Sequence, residues 1–203
     1  MPSSVLLDRL IESLQIMPGV GPVSAARIAY ALLDRPREQG LRLSEAIREA
    51  LTRISLCPVC RDYCDDSNAG CELCRSAKRR ARGELCVVET SSEARAIERS
   101  GSFFGTYFIL HGHLSPLDGV GIREIGLDRL GERFRTEHFN EVILALSRSV
   151  EGEATSAFIA AMCRRRSIRV TAIATGVPLG GDLNSVDENT LSSSFNFRRP
   201  YEG

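Results

Sequence analysis

Val142-Ile143-Leu144-Ala145-Leu146-Ser147-Arg148-Ser149-Val150-Glu151-Gly152-Glu153-Ala154-Thr155 changes character partway along. Residues 142–146 are continuously apolar, as in a strand buried on both faces. The polar residues that follow open a helix, predicted over Glu153–Arg165, with Glu151 and Glu153 where acids favour the helix dipole. The same alternation extends outward. Leu85–Val88, Tyr107–Leu110 and Ile168–Ala174 read as further strands, and Ser92–Arg99 and Leu127–Arg135 as further helices. Strands alternating with helices predict an α/β unit with a mainly parallel sheet covered on both faces. Such sheets place functional groups beyond the carboxyl ends of their strands, which is where Glu89 falls.

Upstream the periodicity is helical throughout. Val5, Leu6, Leu7, Leu10, Ile11 and Leu14 form one apolar stripe over residues 4–15. Ser24–Leu33 and Leu43–Ile54 predict two more helices, the latter with Ser44 as N-cap. Between the first two lies Pro18-Gly19-Val20-Gly21-Pro22. Its glycines permit backbone angles that a side chain forbids and bare N–H groups beside a helix start, which suits a phosphate oxygen. With Arg27 one turn into the helix, this pattern resembles a helix-hairpin-helix, a sequence-independent binder of the DNA backbone; a plain helix–helix turn is the rival reading.

Between the helices and the sheet stand Cys57-Pro58-Val59-Cys60 and Cys71-Glu72-Leu73-Cys74. Each step lets two thiolates converge on one ion, and two steps complete a tetrahedral sulfur shell of the kind Zn2+ takes in structural sites. Ser67-Asn68-Ala69-Gly70 predicts the turn between them. A module this short cannot bury enough apolar surface to fold unaided, and metal binding supplies the difference. Four thiolates close the shell, so a hydrolytic zinc with an open position is disfavoured.

The chain has 203 residues, enough for one medium domain or two small ones. No run of about 18 apolar residues occurs, and Asp8 interrupts the first segment, so neither a membrane span nor a signal peptide is predicted, and a cytoplasmic location follows. Seven cysteines in a reducing compartment favour metal over disulfides; Cys86 and Cys163, in apolar stretches, read as inert core thiols. The 26 basic and 26 acidic residues cancel, so any nucleic-acid contact must come from local charge. Lys78-Arg79-Arg80 and Arg164-Arg165-Arg166 read as solvated faces. His111 and His113 flank a glycine in a loop that runs to Gly121; no further ligand at useful spacing accompanies them, and a structured surface loop is the expectation.

The stretch from Ser147 to Thr155 resembles the acidic motif of Toprim domains, found in topoisomerases and primases. Active Toprim enzymes carry D-x-D for Mg2+ at the positions held here by Ser147 and Ser149. A serine hydroxyl is neutral, and Glu89, Glu151 and Glu153 alone leave that site short of anionic ligands. A Mg-dependent nuclease or topoisomerase-like enzyme is therefore the disfavoured alternative.

Together the pieces resemble one family, the bacterial recombination mediator RecR. The resemblance rests on PGVGP (18–22), the two C-x2-C pairs, GHLSPLDG (112–119), IGLDRL (125–130), VEGEAT (150–155) and GVPLGGDL (176–183) in register. It implies a helix-hairpin-helix region over 1–55, a four-cysteine zinc finger over 56–77, a Toprim domain over 78–175 and a C-terminal segment over 176–203 that packs on a neighbouring subunit. It further implies one structural Zn2+ held by Cys57, Cys60, Cys71 and Cys74, and DNA contact at Gly19, Val20, Gly21 and Arg27. Glu89, Glu151 and Glu153 become a partner-facing or vestigial Toprim site, with no catalytic residue. RecR proteins assemble into rings, usually tetramers, and work with RecO and RecF to load RecA onto single strands covered by single-stranded-DNA-binding protein. The chain departs from the family at Val23, commonly Lys, at SRSVEGEAT in place of NPTVEGEAT-like wording, and at the extra thiol Cys64.

Overall fold

A computed structural model of the chain describes residues 4–65, 70–174, 176–177, 180 and 182–196. It divides into two units, residues 1–54 and 55–203. The first unit contains α1 (Val5–Leu14), α2 (Pro22–Asp34) and α3 (Arg37–Arg53). The second begins with β1 (Ser55–Leu56), β2 (Tyr63–Cys64), α4 (Glu72–Arg75) and α5 (Ala77–Arg80). It continues through β3 (Glu84–Val88), α6 (Ser91–Ser100), β4 (Thr106–Ile109), α7 (Leu127–Thr136) and β5 (Glu141–Ala145). α8 (Val150–Arg164), β6 (Arg169–Ala172) and α9 (Glu188–Asn196) complete it. Among the described residues no helix is long and apolar enough to cross a membrane.

In the first unit Ser4 caps α1, its Oγ accepting the Leu7 N–H at 3.4 Å. Pro22 occupies the first turn of α2, where a missing N–H costs nothing. Ala25 and Ala29 are wholly buried, and α2 packs there against α1. α3 starts at Arg37, so Ser44 lies inside the helix and is not its cap. The apolar periodicity that predicts a helix from Leu43 begins a turn late, because the first turn is polar; Pro36 fixes the backbone just before it.

The four longer strands of the second unit form one parallel sheet in the order β4-β3-β5-β6. Side chains alternate across it. Leu85, Val87, Phe108, Leu110, Val142 and Leu144 face α7 and α8 in one core. Cys86, Val88, Tyr107 and Ile109 face α6 in the other, with Leu73 of α4 packed alongside. The chain leaves β3 toward β4, then crosses back to place β5 on the opposite side of β3. The carboxyl ends of β3 and β5 therefore flank a switch point, where open α/β sheets form their functional crevice.

α8 begins at Val150, earlier than Glu153, because Ser149 caps it by accepting the Gly152 N–H at 3.0 Å. A Cβ at residue 152 would overlap the Ser147 carbonyl, so the glycine lets the helix start tuck under the end of β5. In the C-terminal segment Asp187 accepts from the Thr190 N–H at 2.9 Å at the start of α9. The predicted turn residues Ser67, Asn68 and Ala69, and Pro178, Leu179 and Gly181 of the glycine-containing run, lie outside the described residues.

Gly152→Ala is expected to destabilise the second unit by about 1–3 kcal/mol in denaturant unfolding, the usual cost of forcing a group into filled space. An unchanged midpoint contradicts this packing.

Candidate functional site

The first site is a knot of sulfur. Cys57 and Cys60 lie on the turn joining β1 to β2, whose antiparallel pairing sets Ser55 opposite Cys64 and Leu56 opposite Tyr63. Cys71 stands at the N-cap of α4 and Cys74 within it. All four Sγ atoms lie within 4.8 Å of one another, and those of Cys60 and Cys71 are 3.5 Å apart. A tetrahedral shell with metal–sulfur bonds of about 2.3 Å sets sulfurs about 3.8 Å apart, so the quartet fits one ion. Backbone N–H groups support the sulfurs, Asp62 donating to Cys60 at 3.4 Å and Cys71 to Cys57 at 3.3 Å. Hydrogen bonding from Cys60 and then Cys74 pulls the Cys71 thiol down to about 2, while the same contact with Cys71 drives Cys60 upward. A dication that takes all four as thiolates would replace these sulfur–sulfur contacts with metal–sulfur bonds. Cys64 on β2 packs against this cluster but is not one of the converging four.

The second site is the crevice between β3 and β5. Glu89 follows β3 and is only 9% exposed. Its Oε1 accepts the Ser147 N–H at 2.8 Å, across the switch point, and its Oε2 lies 3.7 Å from His113 Nδ1. Glu93 closes the turn beneath, taking the Glu89 and Thr90 N–H groups at 2.9 Å each in a capping box. Ser147 and Ser149 join their hydroxyls at 3.1 Å, and Glu153 is paired with Arg148 at 2.7 Å. Glu151 stands half-buried in the first turn of α8. Among the described residues only the cysteines converge as a metal-ligating group; Glu89, Glu151 and Glu153 do not. Beside Ser147 and Arg148 a groove of about 250 Å³ opens between α8 and Ala172-Ile173.

In the first unit Gly19 takes φ +79°, a left-handed angle that glycine adopts freely. Gly21 is the N-cap of α2 at φ −84° with no side-chain cap. A Cβ would meet nothing within 4 Å at either glycine, and the start of α2 carries no side-chain cap. Val20 is half-buried, donating to the Met17 carbonyl at 3.1 Å, and Arg27 is exposed one turn on.

The sequence reading missed Arg61, which is 7% exposed and donates to the carbonyls of Ile125 and Glu124. Burial lowers its pKa from the usual arginine value, with Arg129 adding to the effect. A charged residue inside a cysteine module offers no sequence signal of burial. His111 and His113 belong to a built loop: Ser115 bridges Val120, and Ser115 Oγ donates to Asp118 at 2.6 Å.

The family model described as Toprim domain matches residues 83–174, which hold the parallel sheet, the carboxylate at its switch point and the strand–turn–helix over 141–164. The model described as RecR, helix-hairpin-helix matches residues 7–51, and RecR, C-terminal matches residues 176–199. In that order the three make up the RecR domain architecture, and the chain belongs to the RecR family.

Cys57→Ser removes one of four ligands and is expected to leave less than one bound metal ion per chain and a lower unfolding midpoint; a fully loaded, equally stable variant contradicts the shell. Burial pushes Cys86 up to about 12 and Cys163 up to about 11. A raised thiol pKa keeps the neutral, unreactive form, so at pH 8 their thiolate fractions fall to roughly one part in ten thousand and one in a thousand. Both are expected to resist iodoacetamide until the chain unfolds; rapid labelling of the native protein contradicts that burial.

Proposed function

We propose that the chain is a DNA-binding recombination mediator, an adaptor without catalysis of its own. In this reading it assembles into a ring, tetrameric in the way the family resemblance implies, and works with RecO and RecF to load RecA onto single strands covered by single-stranded-DNA-binding protein. The observation that carries it is the succession of the two RecR-specific matches around the Toprim match in one chain. Residues 1–55 bind the DNA backbone, 56–77 hold one structural Zn2+, 78–175 present the partner surface and 176–203 pack on a neighbouring subunit. The chain acts in the bacterial cytoplasm, at the nucleoid.

Several features support the parts. The exposed Gly19 and Gly21 and the uncapped start of α2 suit a phosphate oxygen, with Arg27 alongside. Val23, 85% exposed on that helix, supplies no cation where the family commonly has lysine. Modest single-subunit affinity is enough when several sites are linked in a ring, since linkage raises effective concentration. On α3, Leu41 and Leu51 are 70% and 81% exposed, which favours burial against another subunit. Zn2+ is the ion suited to four thiolates. At the crevice Glu89 spends its oxygens on Ser147 and His113, and Glu153 on Arg148, which favours protein contact over Mg2+ chemistry.

The direct test measures RecA assembly on single strands covered by their binding protein, with RecO and RecF present. Addition of the chain is expected to accelerate it, and no effect contradicts the proposal. DNA binding is expected to be independent of sequence and to weaken steeply with salt. Arg27→Ala is expected to lower affinity and to flatten the log–log salt slope by about 1 for each phosphate no longer neutralised. Affinity indifferent to salt counts against the hairpin. Supercoiled plasmid nicked with Mg2+ by the wild type but not by Glu151→Ala favours the Toprim enzyme instead.

A further inference from the structure

Arg61 sits inside the metal-binding turn, one residue after Cys60. Its N–H donates to the Cys57 carbonyl at 2.9 Å, and the next residue, Asp62, accepts from the Cys57 N–H at 2.7 Å and donates to the Cys60 sulfur at 3.4 Å. Its φ is +66°, a left-handed angle unusual for a bulky side chain. The place of Arg61 is thus set by two of the four ligands.

From there it reaches two ends of one loop. The His111 ring donates through Nε2 to the Arg61 carbonyl at 2.6 Å, while Tyr63 packs edge-on against the same ring. The guanidinium donates to the Ile125 carbonyl and, at 3.4 Å, to that of Glu124, and it lies 5.9 Å from the Phe108 ring. Gly126 has φ +74°, and a Cβ there would collide with the guanidinium. Between these ends the loop runs along the crevice: Gly112 donates to the Glu89 carbonyl at 3.2 Å and Leu114 to Thr155 Oγ1 at 2.9 Å. At its apex Leu117 is 98% exposed.

We propose that Arg61 is a positioning residue that couples the metal centre to the loop of residues 111–126, so that loading the cysteines orders one border of the acidic crevice. This coupling rests on the reading of that crevice as a partner surface and adds what keeps the surface in shape. A buried guanidinium is costly to leave unpaired. Its donors are satisfied only while the turn and the carbonyls of Glu124 and Ile125 keep their places together, so displacement of either strands the other. Without the guanidinium the loop keeps its ties through His111, Gly112 and Leu114 but loses the one at residues 124–125, and a loop released at one end opens more often than one closed at both.

Amide hydrogen exchange on the metal-loaded full chain tests this. Arg61→Ala is expected to retain wild-type metal content and to exchange roughly ten- to a hundred-fold faster at residues 112–124, with β3 and β5 unchanged. Gly126→Ala, which displaces the guanidinium from the loop side, is expected to act in the same peptides. Wild-type protection of the loop in metal-loaded Arg61→Ala overturns the proposal, and so does a uniform rise across loop and sheet, the mark of a general loss of stability. If Arg61→Ala does not fold, chelation of wild-type metal decides. Loop exchange that rises before the sheet supports coupling, and loop and sheet rising together overturn it. Binding of RecO or RecF to Glu151→Ala tests the crevice reading separately, because that substitution leaves Arg61 and the loop contacts in place.

Discussion

Sulfurs crowded within 4.8 Å of one another are a poor arrangement for bare thiols. As thiolates they repel, and the hydrogen bond between Cys60 and Cys71 pushes their two pKa values apart. A dication would remove the conflict and tie together the short elements that carry the sulfurs. β1 and β2 are two residues each, and α4 and α5 four, too short to persist through their own hydrogen bonding. The turn they support then serves the sheet. Its Cys60 carbonyl accepts the Ile109 N–H at 2.8 Å, just where β4 ends. The metal module is therefore continuous with the α/β unit, in keeping with the division of the chain after Ile54.

Among the described residues the four sulfurs converge and the crevice carboxylates do not, which suits the adaptor role proposed above. At the switch point of the Toprim sheet the backbone N–H of Ser147 donates to one oxygen of Glu89, and Arg148 holds Glu153. The crevice is a mixed-charge surface, which suits the partner contact proposed above. Zero net charge is compatible with the DNA contact proposed above, because cations need to gather only where phosphates pass.

Much of this was legible in the sequence. Continuous apolar runs such as Leu85–Val88 read as buried strands because burial on both faces erases alternation. The C-x2-C spacing predicted convergence of sulfurs because only a few turn geometries bring such pairs to one ion. Other features left no trace. The strands at Ser55–Leu56 and Tyr63–Cys64 are too short to carry a period. α3 outran its apolar stripe because its opening turn is polar, which misplaced its cap at Ser44. α9 hides in a run of serines and asparagine, its start marked only by Asp187. Arg61 reads as surface charge, and its burial follows from carbonyls at residues 124 and 125, far away in the chain.

In the function proposed above the protein encloses DNA and presents partners, with no bond made or broken. Retention on DNA circles measures that directly. Protein bound to a closed circle and washed with salt is predicted to stay until the circle is cut, then to leave from the free ends, with the DNA otherwise intact. Equal loss from closed and linear DNA, or strand breaks that appear with protein and Mg2+ alone, would contradict the account.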